Sequence, residues 1–130
     1  MKFLILALLA TLPAAAMANE CPANTELQLK CKSTPKKGDN EFAAEMFDSI
    51  NVCRGTETAA LIVTKDKKSE TVKVDYIEDR MGGTTYRIVA EDVDFTFSAP
   101  VVFAKEFPAT FGVEFNDAGL KGSSTYTCAR

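Results

Sequence analysis

From Asp92 to Ser98 polar residues alternate without a break with Val93, Phe95, Phe97 and Ala99. A period of two sends the two sets to opposite faces of an extended chain, so the segment reads as a strand with one dry and one wet side. The same pattern recurs along the chain. Leu27, Leu29 and Cys31 alternate with Gln28 and Lys30, and Val72, Val74 and Tyr76 alternate with Lys73 and Asp75. Tyr86, Ile88 and Ala90 share a face. Phe111, Val113 and Phe115 alternate with Thr110, Gly112 and Glu114, and Tyr126 shares a face with Cys128. Residues 58–65 form an apolar strand through Leu61, Ile62 and Val63. Between these runs lie turns rich in Gly, Pro, Asp or Asn, or in charge, at 35–40, 66–70, 81–83 and 116–122.

Residues 41–53 fit two templates. Phe42, Met46, Phe47 and Ile50 suit a helical face, whereas Phe42, Ala44, Met46, Ile50 and Val52 suit one face of a long strand. Ile50-Asn51-Val52-Cys53 reads as a strand, so a strand is the preferred reading, with a short helix at 41–50 as its alternative. Eight or nine short strands with short connections imply an antiparallel meander. A meander of this length avoids exposed edges by closing on itself. The expected fold is therefore all-β, a small antiparallel meander closed into an eight-stranded barrel with two disulfides; a flattened sandwich is the alternative.

The N-terminus has the marks of a signal peptide. Lys2 precedes an apolar run from Phe3 to Leu12, Pro13 breaks it, and Ala16-Met17-Ala18 offers small residues to a peptidase. Cleavage is expected after Ala18, leaving residues 19–130 as a single β domain of a periplasmic or secreted protein. Glu20 stands where lipidation of Cys21 would want a small residue. No later segment is apolar long enough to span a bilayer as a helix. Removing Lys2 from the 15 Lys and Arg leaves 14 against 18 acidic residues, a net charge of −4. That balance argues against nucleic acid as a partner.

Cys21, Cys31, Cys53 and Cys128 all follow the cleavage site, an even count that indicates two disulfides in an exported chain. With no histidine and no C-x-x-C spacing, a zinc site is disfavoured. Four cysteines allow three pairings. A hairpin centred near Lys37 would oppose Cys21 with Cys53, leaving Cys31 to join Cys128 and clamp the first strand to the last. That register holds only if 41–50 is extended.

Chemistry is harder to find. Histidine, the usual activator of a nucleophile, is absent. Ser98 with Lys105 and Ser123 with Lys121 read as ordinary surface. Asp92 and Asp94 share a strand face and Glu78-Asp79 stands beside Arg80; these are the candidates for a carboxylate-dependent enzyme, and otherwise a polar outer face. The spacing matches no EF-hand loop, and no metal or cofactor is expected. Eight of the nine phenylalanines follow residue 18. Phe95, Phe97, Phe111 and Phe115 face inward, which favours a filled barrel over one with a ligand-sized lumen. Phe103 to Phe111 breaks the alternation at Phe107 and Pro108, and reads as a loop plugging one barrel end or as a contact patch.

Leu29-Lys30-Cys31 and Tyr126-Thr127-Cys128 resemble the two ends of the small periplasmic inhibitors of C-type lysozyme. Gly83-Thr84-Thr85-Tyr86 is similar to that family's Ser-Gly-x-x-Tyr loop, with Gly82 in place of the serine. Phe103-Ala104-Lys105 resembles its Phe-Trp-x-Lys-Gly stretch, without the tryptophan and glycine and with the lysine one position closer. The resemblance implies an exported barrel that binds a secreted or envelope protein such as a lysozyme, with Tyr86, Lys105, Thr84 and Phe103 as contacts. The combined expectation is a non-enzymatic binding protein, possessing no catalytic residue and inhibiting a cell-wall hydrolase. A barrel for a small apolar ligand, a structural envelope protein and a carboxylate enzyme are the alternatives.

Overall fold

The computed structural model describes residues 20–101 and 104–130. The expected signal peptide and Phe103 lie outside the described residues. The elements, in chain order, are β1 (Glu26–Ser33), α1 (Glu41–Ala44), β2 (Ser49–Arg54), β3 (Ala59–Lys65), β4 (Lys68–Lys73), β5 (Tyr76–Arg80), β6 (Gly83–Val89), β7 (Val93–Pro100), β8 (Glu106–Phe115) and β9 (Leu120–Ala129). The strands form one antiparallel sheet in the order β4-β3-β2-β1-β9-β8-β7-β6-β5. Strands adjacent in sequence pair with one another, except β4 and β5, and β1 pairs with β9 in the middle of the sheet. The sheet curls into a half-barrel whose two edges are β4 and β5.

Closure differs from the sequence expectation at one place. Val72 to Tyr76 reads as a continuous strand, but the chain breaks there into β4 and β5. The Val74 N–H donates to the Ala59 carbonyl of β3 at 3.0 Å, and the next N–H, of Asp75, donates to the Arg87 carbonyl of β6 at 2.9 Å. Consecutive residues thus bond to opposite ends of the sheet. The crossing also reverses the inward parity. Glu70 and Val74 are buried, Tyr76 is 60% exposed, and Ile77 packs on the core. No ladder joins β4 to β5, so the sheet has nine strands and a seam instead of eight strands in a closed ring.

Residues 41–53 divide between the two templates. Asn40 caps α1 by accepting the Phe42 and Ala43 N–H groups on Oδ1 at 3.1 and 3.4 Å, and β2 begins only at Ser49. The cap sits against Gly122, where an added Cβ would lie 2.5 Å from the Asn40 side chain. Phe42 meets Phe115 at 6.0 Å between ring centroids.

The core lies on the concave face. Ile50, Val52, Phe97, Phe111, Tyr126 and Cys128 are essentially fully buried there, with Phe95 and Phe115 packed against them as partly buried neighbours. The Tyr126 hydroxyl donates to the Phe47 carbonyl at 3.1 Å and so ties the segment after α1 down to β9; burial raises that phenol well above its ordinary value. A second, smaller cluster lies on the other side of β2 and β3, where Cys53, Ala60 and Ile62 are covered by Cys21. Ala59 to Val63 is therefore buried on both faces, which accounts for an apolar run without alternation.

Two disulfides join Cys21 to Cys53 and Cys31 to Cys128. Cys31 and Cys128 are directly opposed across β1 and β9. The other bridge does not follow the hairpin register from which it was expected. Cys53 stands opposite Leu27, because α1 and its flanking loops lengthen the connection and move the pairing. Cys21 reaches Cys53 from the segment before β1.

Candidate functional site

On the concave face a partly enclosed space lies beside the seam. Ile50 and Leu61 form its floor, and Met46 and Phe47 cover it after α1. Phe95 and Phe111 wall it on the β7–β8 side. Phe47 meets Phe111 edge-on at 5.6 Å and Phe95 at 6.5 Å, while Phe95 and Phe111 stack at 6.0 Å. Val72 on β4 and Ile88 and Ala90 at the end of β6 complete it. The cavity measures about 120 Å³, close in size to an engineered apolar cavity of about 150 Å³ that takes up benzene.

The seam explains why the space exists. β5 pairs with β6 only from Gly83 to Arg87. Beyond Arg87, β6 has no strand on that side, and β4 lies across the gap without a ladder to it. Side chains from β4 and β6 line the space between them.

Three of the lining residues are ionisable, and one of them is a buried acid. Glu70, opposite Val63 in the β3–β4 ladder, is 3% exposed and lines the cavity. Its carboxyl has no hydrogen bond or ion pair with the described residues. Loss of water around it raises its pKa to about 7. Lys65 and Lys68, paired at the end of the same hairpin, also border the space. Lys65 Nζ lies 3.7 Å from Asp48 Oδ1, and Asp48 Oδ2 accepts the Asp66 N–H at 2.8 Å. Asp66 and Lys67 form the intervening turn with positive φ angles of 51° and 68°, the left-handed conformation that two-residue hairpin turns require. The arrangement is an apolar chamber with one buried acid and two cations at its border.

The residues singled out from the sequence are dispersed. Tyr86 is 2% exposed, its hydroxyl donating to Gln28 Oε1 at 3.3 Å and the Arg54 guanidinium 5.9 Å from its ring. Thr84 donates to Asp79 Oδ1 at 2.7 Å and, with Gly83, borders a shallow outer groove flanked by Arg80 and Lys36. Lys105 is exposed in the connection between β7 and β8.

The candidate carboxylates are held apart. Asp94 bonds Arg87 at 3.1 Å, and Glu78 bonds Arg80 at 2.7 Å, which lowers the Glu78 pKa. Asp92 precedes β7 at a bend, where repulsion from Asp117, then loss of water and the charge of Glu91, raise its pKa.

Glu70 escaped the sequence reading because the 66–70 stretch looks like a solvated turn. Its one signal is parity: Glu70 shares the face of Val72 and Val74. No family model, curated protein or solved structure matches this chain.

Proposed function

We propose that the protein is a non-enzymatic binding protein exported to an oxidising compartment, periplasmic or secreted, and that it holds a small, largely apolar ligand in the concave-face cavity. The observation that carries this reading is the chamber itself: aromatic and aliphatic side chains line it, and Met46 and Phe47, which follow the four-residue helix, cover it without filling it. On this reading β4 and β5 are the two halves of one bent strand in an eight-stranded barrel, and the bend leaves the mouth. The two disulfides are compatible with the compartment.

The test is a binding titration of the oxidised protein with toluene, followed by amide chemical shifts. Saturable shifts centred on Ile50, Leu61 and Phe111 are expected. Val63→Phe, which pushes a ring into the same space, should abolish them. Toluene titrations that leave the cavity residues unmoved would overturn the reading.

A second reading, inhibition of a C-type lysozyme, is favoured by the exposed Lys105 and by Thr84 at the rim of the outer groove. The buried Tyr86 then acts as a support for Arg54 and not as a contact. Inhibition of wall lysis that falls on Lys105→Ala supports this reading, and a lysozyme undisturbed by a large excess of the protein removes it.

A further inference from the structure

We infer that the cavity is selective for small primary amines, with the Glu70 carboxylate receiving the ammonium group and the apolar chamber holding a hydrocarbon body of about five or six carbons, a size set by comparison with the benzene-binding cavity. This inference rests on the reading of the chamber as a ligand site and adds to it the ligand's chemical class.

Glu70 is buried, faces the chamber and has no partner among the described residues. A carboxylate in such a place is costly unless a cation or donors complete its bonds. No side chain around the chamber bonds it: Phe47, Ile88, Phe95 and Phe111 carry no polar group, and Lys65 and Lys68, which border the same space, make no ion pair with it among the described residues. An ammonium offers three donors and the opposite charge. A hydrocarbon leaves the carboxyl unsatisfied, and an anion meets repulsion.

The charged groups near Glu70 come from few elements. Lys65 on β3 and Lys68 on β4 stand at the border of the chamber, and Asp48, next to Phe47, engages Lys65. β6, β7 and β8 present only apolar side chains to the space. The two lysines make the mouth cationic and slow the entry of an ammonium, but Lys65 is already drawn outward by Asp48. Selectivity therefore resides in Glu70, deeper in the wall.

The experiment compares three probes of one shape, cyclopentylamine, cyclopentanol and methylcyclopentane, by amide chemical-shift titration of the oxidised protein at pH 8. The amine should bind about ten-fold tighter than the alcohol or the hydrocarbon, as a charge-assisted bond to a buried partner implies. In Glu70→Gln the three affinities should converge, with methylcyclopentane still bound. The unsubstituted protein supplies an independent arm: at pH 5.5 Glu70 is protonated while the amine keeps its charge, so the amine's advantage should vanish. If all three probes bind equally at pH 8, amine selectivity is overturned and the ligand chamber survives. If none binds, the chamber reading falls and takes this inference with it.

Discussion

Arg54 on β2 and Asp79 on β5 meet through two hydrogen bonds, of 2.9 and 3.3 Å, although five strands separate β2 from β5 in the sheet. The pair spans the open side of the curl. It sits over Tyr86, on the part of the seam where β5 is present, whereas the cavity occupies the part where β5 has ended. One stretch of the seam is thus latched by charge and the other left open.

The latch gives a pH dependence with a definite sign. The Arg54 hydrogen bonds, then Thr84, hold the Asp79 pKa below its ordinary value. A depressed carboxyl stabilises the folded state above its unfolded pKa, and the gain is lost as pH falls through the folded one. The window therefore lies below about pH 4. Asp79→Asn should reduce the melting temperature at pH 7 and flatten its decline under acid. Parallel acid profiles for the two proteins would show that the latch contributes nothing.

Glu70 acts in the opposite direction. Its pKa rises from 4.5 to about 7 on folding. The folded protein holds the proton while the unfolded chain releases it, so stability falls as pH rises from about 4.5 to about 7 and then levels off. Glu70→Gln should remove that slope and stabilise the protein above pH 7 by on the order of 2 kcal/mol, allowing for partial solvation at the chamber mouth. Urea denaturation at pH 5 and pH 8 is the check.

The two disulfides should differ in weight. Cys31–Cys128 closes a separation of 97 residues and Cys21–Cys53 one of 32. Loop-closure entropy assigns them about 5 and about 4 kcal/mol respectively. Replacing Cys31 and Cys128 by serine should cost more than replacing Cys21 and Cys53, and it also places two polar side chains in the main core. Denaturant midpoints of the two double variants measure the order.

Gly82 and Gly83 adjoin in sequence but not in tolerance. A Cβ on Gly82 meets nothing within 4 Å, whereas one on Gly83 would lie 2.3 Å from the Ala99 carbonyl oxygen, at a φ of 152°. Gly83→Ala should cost about 2 kcal/mol or more through backbone displacement and strain. Gly82→Ser should leave thermal stability within experimental error.

Much of the sheet was legible because alternation reports burial directly. Phe97, Phe111 and Tyr126 face the core as their spacing requires. The failures have local causes. The strand read through Val72, Val74 and Tyr76 is interrupted because parity cannot show which neighbour a backbone N–H chooses, and here that neighbour changes between Val74 and Asp75. Asn40 followed by Glu41 was a helix start signal within an ambiguous stretch, and it belongs to a helix too short for periodicity to reveal. Cys21–Cys53 was expected for a register that does not exist. Tyr86 shares its inward face with Ile88, as their spacing indicates, and is buried.

The adjacency of β1 and β9 sets an order of events for the chain. β1 can pair with β2 as soon as both are made, but its other neighbour is the last strand of all. Cys31 must wait as a thiol for Cys128, while Cys21 and Cys53 can already have met. Contacts of such long sequence separation are formed late and slowly. During synthesis, half of β1's backbone bonding and its sulfur are therefore held in suspense until β9 arrives.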